Sequence, residues 1–196
     1  MRPLAYTFPY VVVFLAVFFW SFVREARIVR RAGQAARSGN APRDRGSLYV
    51  VMWTQGLGFG LGFFLAWKPF GRFTHQHVAF WAGIALMLAG TTLRRLSFRA
   101  LGEFFTGEVR VREDQRVVTT GPYAVVRHPG YLAGIMMVVG VAIALGTWFG
   151  ALVGLALTAL GYAYRVSVEE RALVETLGEP YRSYMARTKR FIPHIY

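Results

Sequence analysis

A chain of 196 residues that is 55% hydrophobic and only 17% charged is too apolar for an ordinary soluble domain, which carries about a quarter charged residues. With no cysteine in the sequence, disulfides, thiolate nucleophiles and thiolate metal sites are excluded. The net charge of +13 raises nucleic acid as a partner, but its placement in blocks between apolar runs points to anionic lipid headgroups instead.

Met1 to Val23 holds one charge, Arg2, and the runs Leu48–Trp67, Val78–Leu93 and Gly130–Tyr164 hold none. A bilayer span needs about 20 residues, fewer where flanking side chains snorkel. The runs therefore predict five transmembrane helices, the last two made by a turn at Gly146-Thr147-Trp148. Helix 1 covers Thr7 to Val23. Its basic residues Arg24, Arg27, Arg30 and Arg31 follow the apolar stretch rather than precede it, the pattern of a retained anchor and not of a cleaved signal. Ser38-Gly39-Asn40-Ala41-Pro42 reads as a turn or loop. Helix 2 carries Gly56, Gly58, Gly60 and Gly62. These do not match the G-x-G-x-x-G of a dinucleotide loop, and the pairs Gly56/Gly60 and Gly58/Gly62 suit close helix packing in lipid. The loop from Lys68 to His77 holds an H-x-H, His75 and His77, with no further ligands to complete a metal site.

Arg94 to Pro129 reads as a long connection, with β-branched and charged residues mixed over Val109–Val118 and a turn at Thr119-Thr120-Gly121-Pro122. Helix 4 starts at Pro129, since proline is tolerated in a first helical turn. Helix 5 runs from Trp148 through Glu175, with Gly178 as its stop. The tail from Pro180 puts Tyr181, Tyr184 and Met185 on one helical face, to lie on the membrane surface or to cap a site.

All of the 23 basic residues except Arg2, Lys68 and Arg72 fall in segments 24–45, 94–127 and 165–190. These are alternate connections, and the positive-inside rule then sets the N-terminus outside and the C-terminus in the cytoplasm. The expected class is all-α: a polytopic integral membrane protein with a helix 4–helix 5 hairpin and a cytoplasmic cofactor pocket. Residues 1–196 are expected to form one membrane domain, helices 1–3 in 1–96 and a catalytic region in 97–196.

The hairpin brings Tyr123, Arg127, His128, Tyr131, Arg165, Glu169 and Glu170 into one region at the inner interface. Arg165 and Glu169 are four apart and share a helical face, while Glu170 points about 100° away. Two readings stand. The arginines are topology anchors and Arg165 with Glu169 is an ordinary pair worth about 0.3–0.5 kcal/mol; or the donors, acids and tyrosines form a site.

The segment VVTTGPYAVVRHPGYLAG, followed after the hairpin by RVSVEERALVETLGEPYRSY and FIP, resembles the isoprenylcysteine carboxyl methyltransferase family. That family sits in a wider group of small membrane methyltransferases that includes phospholipid N-methyltransferases, and the likeness covers residues 103–194. The resemblance implies S-adenosylmethionine as cofactor, bound without a Rossmann domain, and S-adenosylhomocysteine as product. It implies cofactor contacts at Gln115, Arg116, Val117 and Val118, then Tyr123, His128, Pro129, Gly130 and Tyr131, then Glu169, with a further polar contact near Glu108. Gln115 stands where family members often have His. The family's substrate-binding arginine, the catalytic candidate, corresponds to Arg165.

Elementary chemistry is consistent with these roles. The start of helix 4 with His128 offers donors to the cofactor's carboxylate, and Glu169 offers an acceptor to its ammonium or ribose hydroxyls. Tyr123 and Tyr131 offer faces for adenine, or serve as interface anchors. Methyl transfer is an in-line displacement governed by alignment and exclusion of water. A carboxylate acceptor is ionised at neutral pH and suits the fixed charge of Arg165; an amine acceptor needs deprotonation, with Glu170 as the base beside it.

The expected function is therefore methylation of a lipophilic or prenylated carboxylate at the cytoplasmic face. Membrane lipids are partners, nucleic acid is not, and the sequence sets no oligomeric state. Three rivals remain: a phospholipid N-methyltransferase, a membrane reductase (sterol reductases carry a similar R-H-P-x-Y and end much as RFIPHIY does, though they are longer), and a scaffold without catalysis.

Overall fold

The apolar runs fold as helices because a chain in lipid must satisfy its backbone hydrogen bonds within each segment. The structure, a computed structural model, describes residues 2–36, 44–105 and 116–192. Among these residues six α-helices follow in order: α1 (Tyr10–Ala36), α2 (Ser47–Ala66), α3 (Gln76–Leu101), α4 (Pro129–Ala144), α5 (Trp148–Leu177) and α6 (Glu179–Arg187). Helices α2, α3 and α5 are each long and apolar enough to cross a membrane; Tyr10–Val23 of α1 and the whole of α4 are apolar but shorter. Trp53, Leu57, Phe64, Leu152 and Leu160 are exposed on the outside of α2 and α5, an apolar surface suited to lipid rather than water.

Two helices outrun their apolar stretches. Helix α1 continues to Ala36 because Arg, Ala, Glu and Gln after Val23 are good helix formers. Helix α3 continues to Leu101, so Arg94, Arg95 and Arg99 are helical and not part of a loop. Of the expected β-branched stretch, Val109 to Gln115 lie outside the described residues. Val118 and Thr119 are irregular, and a 3₁₀ turn covers Gly121–Ala124.

Small residues decide how near the helices come. Helix α3 packs most extensively on α4, where a Cβ added at Gly83 would stand 2.6 Å from the Gly140 carbonyl oxygen. Helix α2 packs on α5, with Gly58 facing Gly154, and also touches α4, with Gly62 beside Ala142. Only one of the two expected glycine pairs is used this way: Gly56 and Gly60 have nothing within 4 Å of an added Cβ. Helix α1 joins through a cluster of Phe14, Phe80, Ile84 and Met87 and a buried Thr91–Ser21 hydroxyl pair at 2.9 Å.

The connection from α4 to α5 is Leu145-Gly146-Thr147. Thr147 caps α5 by accepting from the Gly150 amide at 3.0 Å. The α2–α3 loop is stitched to this connection: Trp148 N donates to Gly71 O at 2.8 Å and Phe73 N to Gly146 O at 3.0 Å. Helix α5, with 30 residues, is about 45 Å long and outreaches a hydrocarbon core of about 30 Å. Arg165 stands about 26 Å from its start, level with the first turn of the oppositely directed α4.

We expect Gly83→Val to lower unfolding stability in detergent by about 1–3 kcal/mol, since the α3–α4 contact has no room for a side chain. Gly56→Ala should leave stability unchanged or raise it by up to about 1 kcal/mol. Thermal unfolding of the two variants checks both.

Candidate functional site

Pro129 at the first position of α4 leaves His128 as the preceding residue, and the two face the last turns of α5. Adjacent residues on α5 then serve different clusters, because neighbours on a helix point about 100° apart.

The first cluster gathers on Glu170, which is 4% exposed. Arg127 Nε donates to Oε1 at 3.0 Å, His128 Nε2 lies 3.1 Å from the same oxygen, and Arg190 Nη2 donates to Oε2 at 2.8 Å. The remaining reach of Arg127 goes to the backbone oxygens of Met185, at 2.9 Å, and of Thr188. Main chain adds to this: Val126 and Lys189 form a parallel bridge, Arg127 N donates to Lys189 O at 2.8 Å and His128 N to Arg190 O at 3.0 Å. The tail is thus strapped across the start of α4. Tyr181 and Tyr184 of α6 are buried against the protein, and the Tyr184 hydroxyl donates to the Tyr123 carbonyl at 2.7 Å. Burial pushes the phenols of Tyr123 and Tyr181 up, and that of Tyr184 up to about 12, so all three stay protonated near neutral pH.

The second cluster gathers on Arg165, 5% exposed. Its Nε donates to the Tyr131 hydroxyl at 3.3 Å, and that hydroxyl donates to Glu169 Oε2 at 2.6 Å. Tyr131 therefore stands between Arg165 and Glu169, which share a face as expected. Arg165 Nη1 also reaches the Ser47 hydroxyl at 2.8 Å and forms an ion pair with Asp44. Asp44 is fixed at the mouth of α2, accepting from Ser47 Oγ at 2.9 Å and from Leu48 N at 3.0 Å. Behind Tyr131 lies Tyr162, ring centroids 4.7 Å apart, whose hydroxyl meets Gln55 of α2 and sits where a side chain at Gly134 would be.

His128, Tyr131, Arg165, Glu169 and Glu170 are thus brought together, with Pro129 buried and Gly130 half-buried between them. The Gly130 carbonyl accepts from Arg94 at 2.5 Å. Tyr123 joins through α6. Arg116 is exposed and Val117 and Val118 are half-buried; the described contacts do not join them to either cluster. Glu108 and Gln115 lie outside the described residues. Asp44, Ser47 and Arg190 were not singled out by sequence. An acid ahead of a helix start is the signal that marks Asp44; nothing in the tail marks Arg190.

This arrangement suits a zwitterionic cofactor. Around Glu170 two guanidiniums and an imidazole meet one carboxylate beside the positive end of α4, a setting for an anionic group. Beside it the half-buried Glu169 offers a carboxylate to hydroxyls or an ammonium.

Comparison with known proteins places this geometry in context. A family model described as phospholipid methyltransferase matches residues 78–180. Protein-S-isoprenylcysteine O-methyltransferase B of Arabidopsis thaliana is 26% identical over 115 residues, 58% of this chain and 58% of that protein. The protein-S-isoprenylcysteine O-methyltransferase of Schizosaccharomyces pombe is 28% identical over 116 residues, 58% of this chain and 49% of its own length. The chain thus aligns with about half to three fifths of the curated relatives it matches. The solved eukaryotic intramembrane Ras methyltransferase, isoprenylcysteine carboxyl methyltransferase, superposes with a TM-score of 0.61 at 20% identity, covering 93% of this chain and 68% of that one. The likeness shows a shared fold.

Glu170→Ala should cost about 3–5 kcal/mol by leaving the buried Arg127 guanidinium without its carboxylate. It should also hasten tryptic cleavage of the tail at Arg182 and Arg187. An unchanged unfolding temperature would remove Glu170 from this bracing role.

Proposed function

Since the chain belongs to the phospholipid methyltransferase family, we propose that it is an integral-membrane methyltransferase that moves a methyl group from S-adenosylmethionine to a lipophilic carboxylate. The single observation that carries this reading is the convergence on Arg165, where Tyr131 and Glu169 meet a buried guanidinium at the edge of the apolar span. In this reading α1 to α5 all cross the bilayer, α4 and α5 form a hairpin, the N-terminus is outside and the site opens to the cytoplasm, as the basic segments favour.

The residues present fit the cofactor. His128 and the Gly130 amide, at the positive start that Pro129 gives α4, hold its carboxylate, and Glu169 takes its ammonium or ribose hydroxyls. Tyr123 and Tyr131 flank it, with Arg116, Val117 and Val118, and with Gln115 and Glu108 by family resemblance. When bound, the cofactor supplies an electrophilic methyl on a sulfonium. Arg165 orients the acceptor's carboxylate, whose charge at neutral pH removes the need for a base. The tail, strapped over the start of α4, excludes water, which strengthens every charged contact inside. Glu170, engaged by two guanidiniums and the His128 imidazole, braces the site and is a poor base for an amine. The relatives' names favour a prenylated carboxylate as acceptor, while the family's description keeps a phospholipid as the second candidate.

Labelled-methyl transfer to a prenylated cysteine analogue should exceed transfer to an ethanolamine lipid; the reverse ranking would replace the carboxylate reading. Calorimetry in detergent should show binding of S-adenosylhomocysteine and not of NADPH. Arg165→Ala should retain the cofactor product's affinity and lose turnover by about two to three orders of magnitude. His128→Ala and Glu169→Ala should each weaken S-adenosylhomocysteine about tenfold or more, and unchanged affinity in either excludes that residue from the pocket.

A further inference from the structure

Arg165 is buried, and a buried guanidinium demands a counter-charge. Glu169 reaches it through Tyr131, whereas Asp44 touches it directly. Asp44 comes from a distant part of the chain, 121 residues away, on the two-residue left-handed turn of Arg45 (φ 46°) and Gly46 (φ 75°) that precedes α2. The same carboxylate also holds Ser47 Oγ and Leu48 N, so it has partners at the helix mouth that remain when it leaves Arg165.

We propose that Asp44 is an internal stand-in for the acceptor's carboxylate: it occupies Arg165 until an acid arrives to exchange with it, and so sets the apparent affinity for acids while leaving neutral molecules untouched. This rests on the reading of Arg165 as the acceptor's anchor. The exchange follows from charge. A carboxylate arriving at Arg165 would join Asp44, with Glu169 one hydroxyl away, and three acids crowded on one guanidinium repel each other strongly in a medium of low dielectric. Replacing one carboxylate by another keeps the charge balance and the hydrogen-bond geometry. A neutral amide or alcohol brings no charge and leaves the Asp44 pair in place, so this built-in competitor weighs on acids alone. Apparent affinity for the acid is then the intrinsic affinity reduced by the fraction of time Arg165 is released.

The test uses the full chain in detergent, saturated with S-adenosylhomocysteine, titrated calorimetrically with a farnesyl-thioether carboxylic acid and with its primary amide. Asp44→Asn keeps a helix-capping side chain and removes the charge. If Arg165 is released about a tenth of the time, the variant binds the acid about tenfold more tightly, while its affinities for the amide and for S-adenosylhomocysteine stay at wild-type values. Asp44→Glu, which restores the charge, returns acid affinity toward wild type. Should Asp44→Asn not fold, Asp44→Ser carries the same test, since serine also caps a helix. Unchanged or weaker acid binding in the variant overturns the inference alone, as does equal tightening of acid and amide, the mark of a merely looser pocket. No acid binding by wild type or variant overturns the carboxylate reading of Arg165, and the inference with it.

Discussion

One nearly solvent-excluded carboxylate, Glu170, holds the functional end of this protein together. It meets Arg127 and His128 from the entrance to α4 and Arg190 from the tail, and so ties both segments to α5. Each guanidinium alone would be costly so close to lipid. Gathered on one acid, with main-chain bonds from Arg127 and His128 to Lys189 and Arg190, they fix the first turn of α4 against α5. The positions of Tyr131, and through it Arg165 and Glu169, follow from that register.

The pair Glu169 and Glu170 shows how a helix divides two tasks between neighbours. The roughly 100° between them sends one carboxylate to the strap and the other to the Tyr131–Arg165 side. The division also explains why close glycine packing matters at a distance. Gly83 against Gly140 and Gly58 against Gly154 bring α3 to α4 and α2 to α5, and the second contact delivers Asp44 and Ser47 to Arg165.

Much of this was legible in the sequence. The apolar runs, Pro129 as a helix start, Thr147 before Trp148 and Gly178 as a stop mark helices that the structure bears out, because capping and breaking are local chemistry. The all-helical membrane class and the family were equally readable, the latter from R-H-P-x-Y-x-x-G and the spaced Glu-Glu. Helix ends inside basic segments were not, since α1 and α3 continue on propensity after hydrophobicity stops. Nor were tertiary partners: Gly56/Gly60 and Gly58/Gly62 are alike as strings, and only the packing direction of α2 tells them apart. Asp44 was hidden for the same reason, its meaning arising from a residue 121 positions away.

The seam where Gly71 and Phe73 bond to Gly146 and Trp148 has a mechanical consequence. With that end of α2 and α5 fastened, and Asp44 and Ser47 holding Arg165 at the other, the two helices are clamped twice, at points roughly 26 Å apart. Main chain makes one clamp and charge makes the other. Parting the pair beside the guanidinium therefore means breaking the ion pair first.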